Sequence, residues 1–166
     1  MSKRLFLVRH AKTEEGSRDK RDFDRILTNI GMQDATRLGK YFYSNDKKPD
    51  QILSSDAARA SATAELLASQ MKYEISRIHL NHEIYDASVR TLFELVTQLK
   101  DEWDSVMIVG HNPVINYLAE YLSGADIGHM STGSCACIVF DSESWREVSQ
   151  GGGTLENYIV SKELDR

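Results

Sequence analysis

The sequence predicts an α/β fold, a three-layer α/β/α sandwich around a mostly parallel sheet of about five to six strands. Apolar runs with the length of strands alternate with segments of helical period along the chain. The run Ser105–Val109 is an uninterrupted apolar strand, as expected where both faces of a sheet are covered. The 166 residues predict one domain over 1–166, and a domain near this size buries roughly 70% of its unfolded surface.

In the first half of the chain, the pattern predicts three strands and two helices. Lys3–Val8 is the first predicted strand, and Gly31–Tyr43 is a predicted helix. The residues expected on the apolar face of that helix are Met32, Ala35, Leu38, Gly39 and Phe42. A short buried strand, Asp50–Leu53, precedes an Ala-rich helix over Ala57–Met71. Tyr73–Leu80 is predicted as a third strand, near the edge of the sheet.

In the middle of the second half, the strand Ser105–Val109 lies between two predicted helices. The first of these helices is Thr91–Lys100, which has apolar residues at helical spacing. The second is Asn112–Leu122, for which Asn112 is the expected N-cap and Pro113 the first helical residue.

The last part of the chain predicts a closing pair of strands, Cys135–Asp141 and Asn157–Val160, joined by a flexible connection at Gly151–Gly153. Cys135 and Cys137 alternate on the first of these strands, where they are too far apart for a relaxed disulfide. We expect reduced core thiols in a cytoplasmic protein. A Cys-x-Cys metal pair is the alternative, but the sequence holds no further cysteine to complete such a site.

Composition and charge exclude several classes of partner. The net charge is −5 and there is no basic tract, so nucleic acid is not an expected partner. The N-terminal apolar stretch Leu5–Val8 is too short for a signal peptide or a membrane span, so no membrane association is expected. A local cluster of cations can still bind an anion on an acidic protein.

Three predicted strands end on residues that carry chemistry. The first ends at Arg9-His10 and the fourth at Gly110-His111, while the second ends at Ser54-Ser55 and is followed by Arg59 in the first turn of a helix. Ligands of such sheets bind at the carboxyl ends of the strands. If these strands are parallel neighbours, their ends converge on one crevice.

This set of residues predicts a pocket for a phosphoryl group. Transfer of a phosphoryl group depends mainly on positioning and on electrostatic stabilisation, and the fork of an arginine pairs with two oxygens at once. Arg9 and Arg59 are therefore the predicted clamp. A neutral imidazole is a good nucleophile for phosphorus, which is the role predicted for His10. His111 is expected either to be cationic or to donate a hydrogen bond to a phosphoryl oxygen.

The residues also resemble a known family. The stretch Leu7–Thr13 is similar to the Arg-His-Gly motif of the histidine phosphatase (phosphoglycerate mutase-like) superfamily. Leu53–Ala64 is similar to its second-arginine motif and Val109–Pro113 to its second-histidine motif, in the same order and spacing. The short chain and the stretch Asp22–Gly31 most resemble the SixA-type phosphohistidine phosphatases. The resemblance covers residues 3–140.

The resemblance implies a phosphoglycerate mutase-like fold and a catalytic role for His10, which becomes transiently phosphorylated. It also implies that Arg9, Arg59 and His111 bind the phosphoryl group and that neither a metal nor a cofactor is needed. Two positions depart from the family pattern, since Ala11 replaces the usual glycine and Ile26 the usual proline. Neither departure changes a charged residue of the predicted pocket.

A general acid is harder to assign from the sequence. Larger relatives protonate the leaving oxygen with a carboxylic acid, and Glu83 occupies the corresponding stretch, with Asp86 and Glu14 as weaker candidates. An alkoxide needs that proton, whereas the protonated imidazole of a phosphohistidine leaves readily.

The expected substrate is therefore phosphohistidine on a protein. Short segments between the motifs predict an open pocket, which would admit a side chain displayed on a protein surface. The alternatives are a phosphatase for small phosphorylated metabolites and, from another class, a catalytically silent phospho-recognition module.

Overall fold

The protein, seen here in a computed structural model that describes residues 2–164, is built around one mixed sheet. The strands of the sheet are β1 (Lys3–Arg9), β2 (Gln51–Ser54), β3 (His79–Leu80), β4 (Ser105–Gly110), β5 (Ser134–Phe140) and β6 (Gly153–Val160). Their order is β3-β2-β4-β1-β5-β6. Strands β1 to β4 pair in parallel, and β5 is antiparallel to both of its neighbours.

Helices cover both faces of this sheet. They are α1 (Asn29–Ser44), α2 (Ala58–Met71), α3 (His82–Tyr85), α4 (Val89–Thr97) and α5 (Val114–Ser123). One core cluster joins α1 and α2 to one face of the sheet, and another joins α3, α4 and α5 to the opposite face. The predicted three-layer α/β/α sandwich is confirmed.

Strand β1 shows why the strands of the sheet are continuous apolar runs in the sequence. Successive side chains of a strand point to opposite faces. Phe6 and Val8 pack toward α1 and α2, and Leu5 and Leu7 pack toward α4 and α5. Because both faces are covered, all four side chains are essentially buried. The same alternation holds along β4, whose apolar side chains belong in turn to the two core clusters, so both of its faces are covered as the sequence predicted.

The third strand is shorter than the sequence predicted. Tyr73–Leu80 was expected to be extended, but only His79–Leu80 is a strand, and a 3-10 turn, Ile75–Arg77, precedes it. The buried Tyr73 explains the turn. Its hydroxyl accepts a hydrogen bond from the Ile52 N–H at 3.1 Å and donates to the Arg77 carbonyl at 3.2 Å, which folds the segment back on itself. The predicted position at the sheet edge is correct.

Three smaller predictions were wrong. Met32 was expected on the buried face of α1 but is 41% exposed. Asn112 is not the N-cap and Pro113 is not the first helical residue, because α5 begins at Val114 and Pro113 takes the N-cap position. The Asn112 side-chain amide donates to the Met130 carbonyl instead. Strand β6 starts at Gly153 rather than Asn157, because Gly153 pairs with Phe140 of β5. A Cβ at Gly153 would approach the Ile138 side chain to 2.5 Å, which glycine avoids.

Two further features bear on the expectations from the sequence. Cys135 and Cys137 are free, buried thiols on β5, with their sulfur atoms 3.9 Å apart. Burial, followed by the contact with Cys137, raises the pKa of the Cys135 thiol well above its ordinary value. No helix in the described part of the chain combines the length and the apolar character needed to cross a membrane.

Candidate active site

The carboxyl ends of three neighbouring parallel strands meet at one edge of the sheet, as the sequence predicted. Strand β4 lies between β2 and β1, with Arg9 opposite Gly110 in the register. The His10 N–H donates to the Gly110 carbonyl at 3.1 Å, and the Ser55 N–H donates to the Val109 carbonyl at 3.0 Å. The residues that follow the three strands therefore lie side by side.

His10 is held as a neutral ring with one nitrogen free. Its Nδ1 lies 2.8 Å from the Ala11 carbonyl oxygen. Since a carbonyl only accepts hydrogen bonds, Nδ1 carries the proton and Nε2 keeps its lone pair. Burial, followed by the nearby Arg59 and Arg9, lowers the pKa of His10 to about 4, although the Ala11 carbonyl opposes this shift. His10 is thus uncharged at neutral pH, and the lone pair of its Nε2 is not protonated.

His111 packs beside His10, with 5.2 Å between the ring centroids. Its Nε2 lies 2.7 Å from the Ser55 hydroxyl oxygen, and its Nδ1 is buried without a protein partner. Burial and then the neighbouring His10 lower the pKa of His111 to about 3. Of the two alternatives left open by the sequence, the unliganded pocket favours a neutral ring that can donate one hydrogen bond.

The two predicted arginines leave donors unpaired beside the imidazoles. Arg9 donates from NH1 to the Met130 carbonyl at 2.9 Å, and Arg59, in the first turn of α2, donates from NH1 to the Asp22 carbonyl at 2.7 Å. The Nε of each guanidinium is buried and has no protein partner. Buried unpaired donors are costly unless a ligand satisfies them. Together with the free Nδ1 of His111, they form a site suited to an anion.

Asp22 is a site residue that the sequence analysis did not single out. Its Oδ2 accepts hydrogen bonds from Arg59 NH2 at 3.0 Å and from the Tyr85 hydroxyl at 2.8 Å. Burial alone would raise the pKa of Asp22, but the bonds from Tyr85 and Arg59 outweigh it and lower that pKa. The Tyr85 ring also packs against the His111 ring, with 5.5 Å between centroids. Asp22 begins a 3-10 turn in a segment of mixed charges, and the resemblance of Asp22–Gly31 to SixA-type phosphatases gave this residue no role of its own.

A third arginine lies near the pocket. Arg25 donates from Nε to Asp22 Oδ1 and from NH1 to the Glu14 carbonyl, both at 3.1 Å. Its positive charge is among the smaller causes of the lowered pKa values of His10 and His111. Arg25 thus connects Glu14, in the polar loop after β1, with Asp22, which in turn binds Arg59.

The structure does not bring Glu83 to these residues. Glu83 lines a separate groove of about 830 Å³ beside β3, and the two histidines and two arginines lie outside it. Tyr85 is two residues further along the same short helix, and residues two apart on a helix point in nearly opposite directions. The role of Glu83 as proton donor stays a prediction that this placement does not support.

The weaker candidates for the proton donor are paired elsewhere. Asp86 lies 3.3 Å from His82, and Glu14 lies 3.8 Å from Lys20. Within residues 2–164, no group of three or more His, Cys, Asp and Glu side chains lies close enough to hold a metal ion. The pocket residues described above could hold an anion but offer no evident metal ligand set.

Comparisons with known proteins find a family model and solved structures that are similar to this chain. A family model described as "Histidine phosphatase superfamily (branch 1)" matches residues 5–85. The crystal structure of SixA from Agrobacterium tumefaciens, a candidate phosphohistidine phosphatase, superposes with a TM-score of 0.81. It is 27% identical to this chain, and the match covers 95% of this chain and 97% of that one.

Two further relatives extend the comparison. The protein histidine phosphatase SixA, solved with tungstate, superposes with a TM-score of 0.83 at 21% identity, covering 98% of this chain and 99% of that one, and shows the shared fold. An uncharacterised chloroplastic protein of Arabidopsis thaliana is 28% identical over 96% of this chain and 78% of its own length.

Proposed function

The chain belongs to the histidine phosphatase superfamily, and from this premise we propose that it hydrolyses a phosphoryl group through a covalent intermediate on His10. One observation carries the proposal. A neutral His10 with a free Nε2 lies beside two guanidinium groups whose buried Nε donors have no protein partner. A nucleophile next to unpaired donors suits attack on a phosphorus atom whose oxygens those donors bind.

In the first proposed step, His10 displaces the leaving group. Its Nε2 forms a bond to phosphorus as the bond to the leaving group breaks, and Arg9, Arg59 and His111 donate hydrogen bonds to the phosphoryl oxygens. With a phosphohistidine that is protonated on its other ring nitrogen, the electron pair of the P–N bond returns to the substrate ring. A neutral imidazole then leaves, and no further proton is needed.

In the second proposed step, water releases the phosphate. The water oxygen bonds to phosphorus while the P–Nε2 bond breaks, and the electron pair returns to His10. Both water protons leave with dihydrogen phosphate. His10 regains the neutral form with its proton on Nδ1, held by the Ala11 carbonyl.

The leaving group points to phosphohistidine as the proposed substrate class. A phosphoester would release an alkoxide, which requires a protonated acid near the leaving oxygen. The carboxyl group at the pocket is Asp22, which Tyr85 and Arg59 keep ionised. Glu83 lies in another groove. A site that has an ionised carboxylate, and in which the structure of residues 2–164 positions no protonated acid, suits an imidazole leaving group. Because the SixA relative is a candidate phosphohistidine phosphatase, it supports the same choice.

The proposed physiological partner is a protein that carries the phosphohistidine. The experiment compares wild-type kcat/KM on a phosphohistidine-containing protein with kcat/KM on a panel of sugar and nucleoside monophosphates. We expect the protein phosphohistidine to be preferred by at least about a hundredfold, or about 2.7 kcal/mol in transition-state stabilisation. A preference for any small phosphomonoester would instead favour the metabolite phosphatase. Binding without turnover of either class would favour a silent recognition module.

Two finer proposals accompany this one. The reaction is proposed to need no metal, so dialysis against a chelator should leave kcat unchanged. A cytoplasmic location is proposed from the two free, buried thiols, which suit a reducing compartment. Cell fractionation with an epitope-tagged chain tests the location.

A further inference from the structure

The Ser55 hydroxyl lies against the His111 ring, and the proposed function gives it no part. Ser55 is completely buried at the end of β2, and its Oγ lies 2.7 Å from His111 Nε2. The same Oγ accepts a hydrogen bond from the Ala57 N–H at 3.1 Å. One acceptor position of the hydroxyl is therefore used by the backbone. The direction of the O–H bond depends on the second partner, the His111 ring.

The surroundings decide that direction. Ser55 Oγ has two hydrogen-bond partners among the described residues, the Ala57 N–H and the His111 ring. The first is a donor, so only His111 can accept the Ser55 O–H. If His111 instead donated from Nε2, the Ser55 hydrogen would be buried without an acceptor, which is unfavourable. These contacts therefore favour donation from the Ser55 hydroxyl to Nε2.

The hydrogen bond between Ser55 and His111 Nε2 determines whether the other ring nitrogen, Nδ1, carries a proton. A neutral imidazole carries one N–H, and its position is set by the hydrogen bond at the opposite nitrogen. With Nε2 accepting from Ser55, the proton of His111 must lie on Nδ1, which is buried and has no protein partner. A neutral ring in the other tautomer would present a lone pair to a phosphoryl oxygen and repel it.

We propose that Ser55 is a positioning residue that fixes the Nδ1–H tautomer of His111, so that an uncharged imidazole can donate a hydrogen bond to the phosphoryl group. The catalytic part of this inference rests on the proposed function, while the tautomer itself does not. The lowered pKa of His111 is consistent with this role, because a ring that stays neutral depends on its tautomer to act as a donor.

The chain supplies a matched control for Ser55 in its neighbour Ser54. Ser54 is equally buried, and its hydroxyl donates to the Ser55 carbonyl at 2.8 Å rather than to a histidine. Ser54→Ala removes a buried hydroxyl from the same strand end without touching His111. It controls for any general loss of stability in Ser55→Ala.

The first test is the tautomer, measured by long-range ¹H–¹⁵N NMR correlations of the His111 ring in the unliganded protein at neutral pH. We expect an Nδ1–H tautomer in the wild type and in Ser54→Ala, and a mixture of both tautomers in Ser55→Ala. The His111→Asn variant identifies the resonances. A wild-type ring with its proton on Nε2, or an unchanged tautomer in Ser55→Ala, would overturn the proposal whether or not the protein is a phosphatase.

The second test is kinetic. On a phosphohistidine-containing protein, we expect kcat/KM to fall about ten- to a hundredfold in Ser55→Ala, on the order of the loss seen when the hydrogen-bond partner of a metal-bound histidine is removed. Ser54→Ala should stay within about threefold of the wild type, which leaves room for a modest loss of stability. Ser55→Cys keeps a weak donor and should fall between wild type and Ser55→Ala. Equal losses in Ser54→Ala and Ser55→Ala would contradict a specific role for Ser55.

Discussion

At the scale of single residues, His10 and Asp22 show how burial and hydrogen bonding set the charge of a side chain in the pocket. His10 is buried among positive charges, so its ring stays neutral and nucleophilic. Asp22 receives hydrogen bonds from Tyr85 and Arg59, so its carboxylate stays ionised and orients Arg59. Both pKa values are lowered, but for different reasons: burial disfavours the charged form of His10, whereas hydrogen bonds favour the charged form of Asp22.

The contact between Asp22 and Arg59 predicts an effect on catalysis. In Asp22→Asn, the charge-assisted bond to Arg59 is lost. We expect kcat/KM to fall about three- to tenfold, because such a bond at a partly exposed site contributes roughly 1 kcal/mol. Steady-state kinetics with the phosphohistidine-containing protein measure the effect.

Asp24→Asn is the control for this change. Asp24 belongs to the same 3-10 turn, but its carboxylate pairs with Arg21 instead of Arg59. We expect its kcat/KM to remain near that of the wild type. If both variants lose activity equally, Asp22 acts through the stability of the loop rather than through Arg59.

The pocket residues also show what the sequence can predict at this scale. Arg9, His10 and His111 follow apolar strands directly, and the ends of parallel strands must meet at one edge, so their convergence followed from pattern alone. Asp22 and Ser55 could not be assigned in this way. Their roles depend on side-chain contacts with residues 37 and 56 positions away in the chain, Arg59 and His111 respectively, which no local pattern encodes.

At the scale of elements, the start of α1 fixes the chain that leaves β1. Thr28 caps α1 by accepting a hydrogen bond from the Gly31 N–H at 3.0 Å, and its own N–H donates to the Lys12 carbonyl at 3.0 Å. Gly31 makes this contact possible, because a Cβ there would lie 2.2 Å from the Lys12 carbonyl oxygen. Lys12 directly follows Ala11, whose carbonyl holds the His10 ring.

Gly31→Ala is therefore expected to affect both stability and activity. The added methyl group must displace the Lys12 backbone, and such overpacking costs about 1–3 kcal/mol in the free energy of unfolding. Since the displaced segment adjoins Ala11, we also expect kcat to fall. Urea unfolding and steady-state kinetics measure the two effects.

Gly16→Ala serves as the comparison. A Cβ at Gly16 would meet the Arg25 side chain at 3.8 Å, an ordinary contact distance. We expect its free energy of unfolding to stay within about 0.5 kcal/mol of the wild type, as is usual for surface substitutions. A Gly31→Ala protein as stable and active as Gly16→Ala would contradict the tight contact with Lys12.

The errors in the predicted elements have a common physical cause. Periodicity locates a buried run, but it does not show where tertiary contacts end a strand. The Tyr73 hydroxyl binds the backbone at both Ile52 and Arg77 and converts most of a predicted strand into a turn. Gly153 extends β6 by pairing with Phe140, at a place where the side chain of Ile138 leaves no room for a Cβ. A glycine run in the sequence does not reveal this pairing.

At the scale of the whole molecule, we propose that residues 1–166 form one cooperative domain. Each of the two core clusters combines side chains of one helical layer with side chains of the same six-stranded sheet. Neither helical layer can therefore bury its apolar residues without the sheet. We expect a single thermal transition with equal calorimetric and van't Hoff enthalpies. Two separate transitions, or a calorimetric enthalpy well above the van't Hoff value, would contradict this proposal.

The two pocket histidines predict how stability depends on pH. Folding lowers the pKa of His10 to about 4 and that of His111 to about 3. Below about pH 6.5, the unfolded chain therefore binds protons that the folded chain does not, and the free energy of unfolding declines as the pH falls toward 3. Between pH 7.5 and 5, each imidazole is expected to account for a loss of about 2 kcal/mol.

Urea unfolding at several pH values in phosphate-free buffers measures this dependence. The matched control is a variant in which both histidines are replaced by asparagine, which lacks the two titrating groups. We expect its stability to decline much less than that of the wild type between pH 7.5 and 5. Parallel declines in the two proteins would show that His10 and His111 are not the buried neutral groups described here.

The most direct test of the central claim is to trap the phosphoenzyme. The wild type is mixed with a phosphohistidine-containing protein and quenched in alkali within milliseconds, and the peptide that contains His10 is analysed by mass spectrometry and ³¹P NMR. We expect one phosphoryl group on His10, bonded to Nε2 because Nδ1 is bound to the Ala11 carbonyl, and none in His10→Ala. Wild-type turnover without a phosphoryl group on His10, or full activity of His10→Ala, would contradict covalent catalysis by this residue.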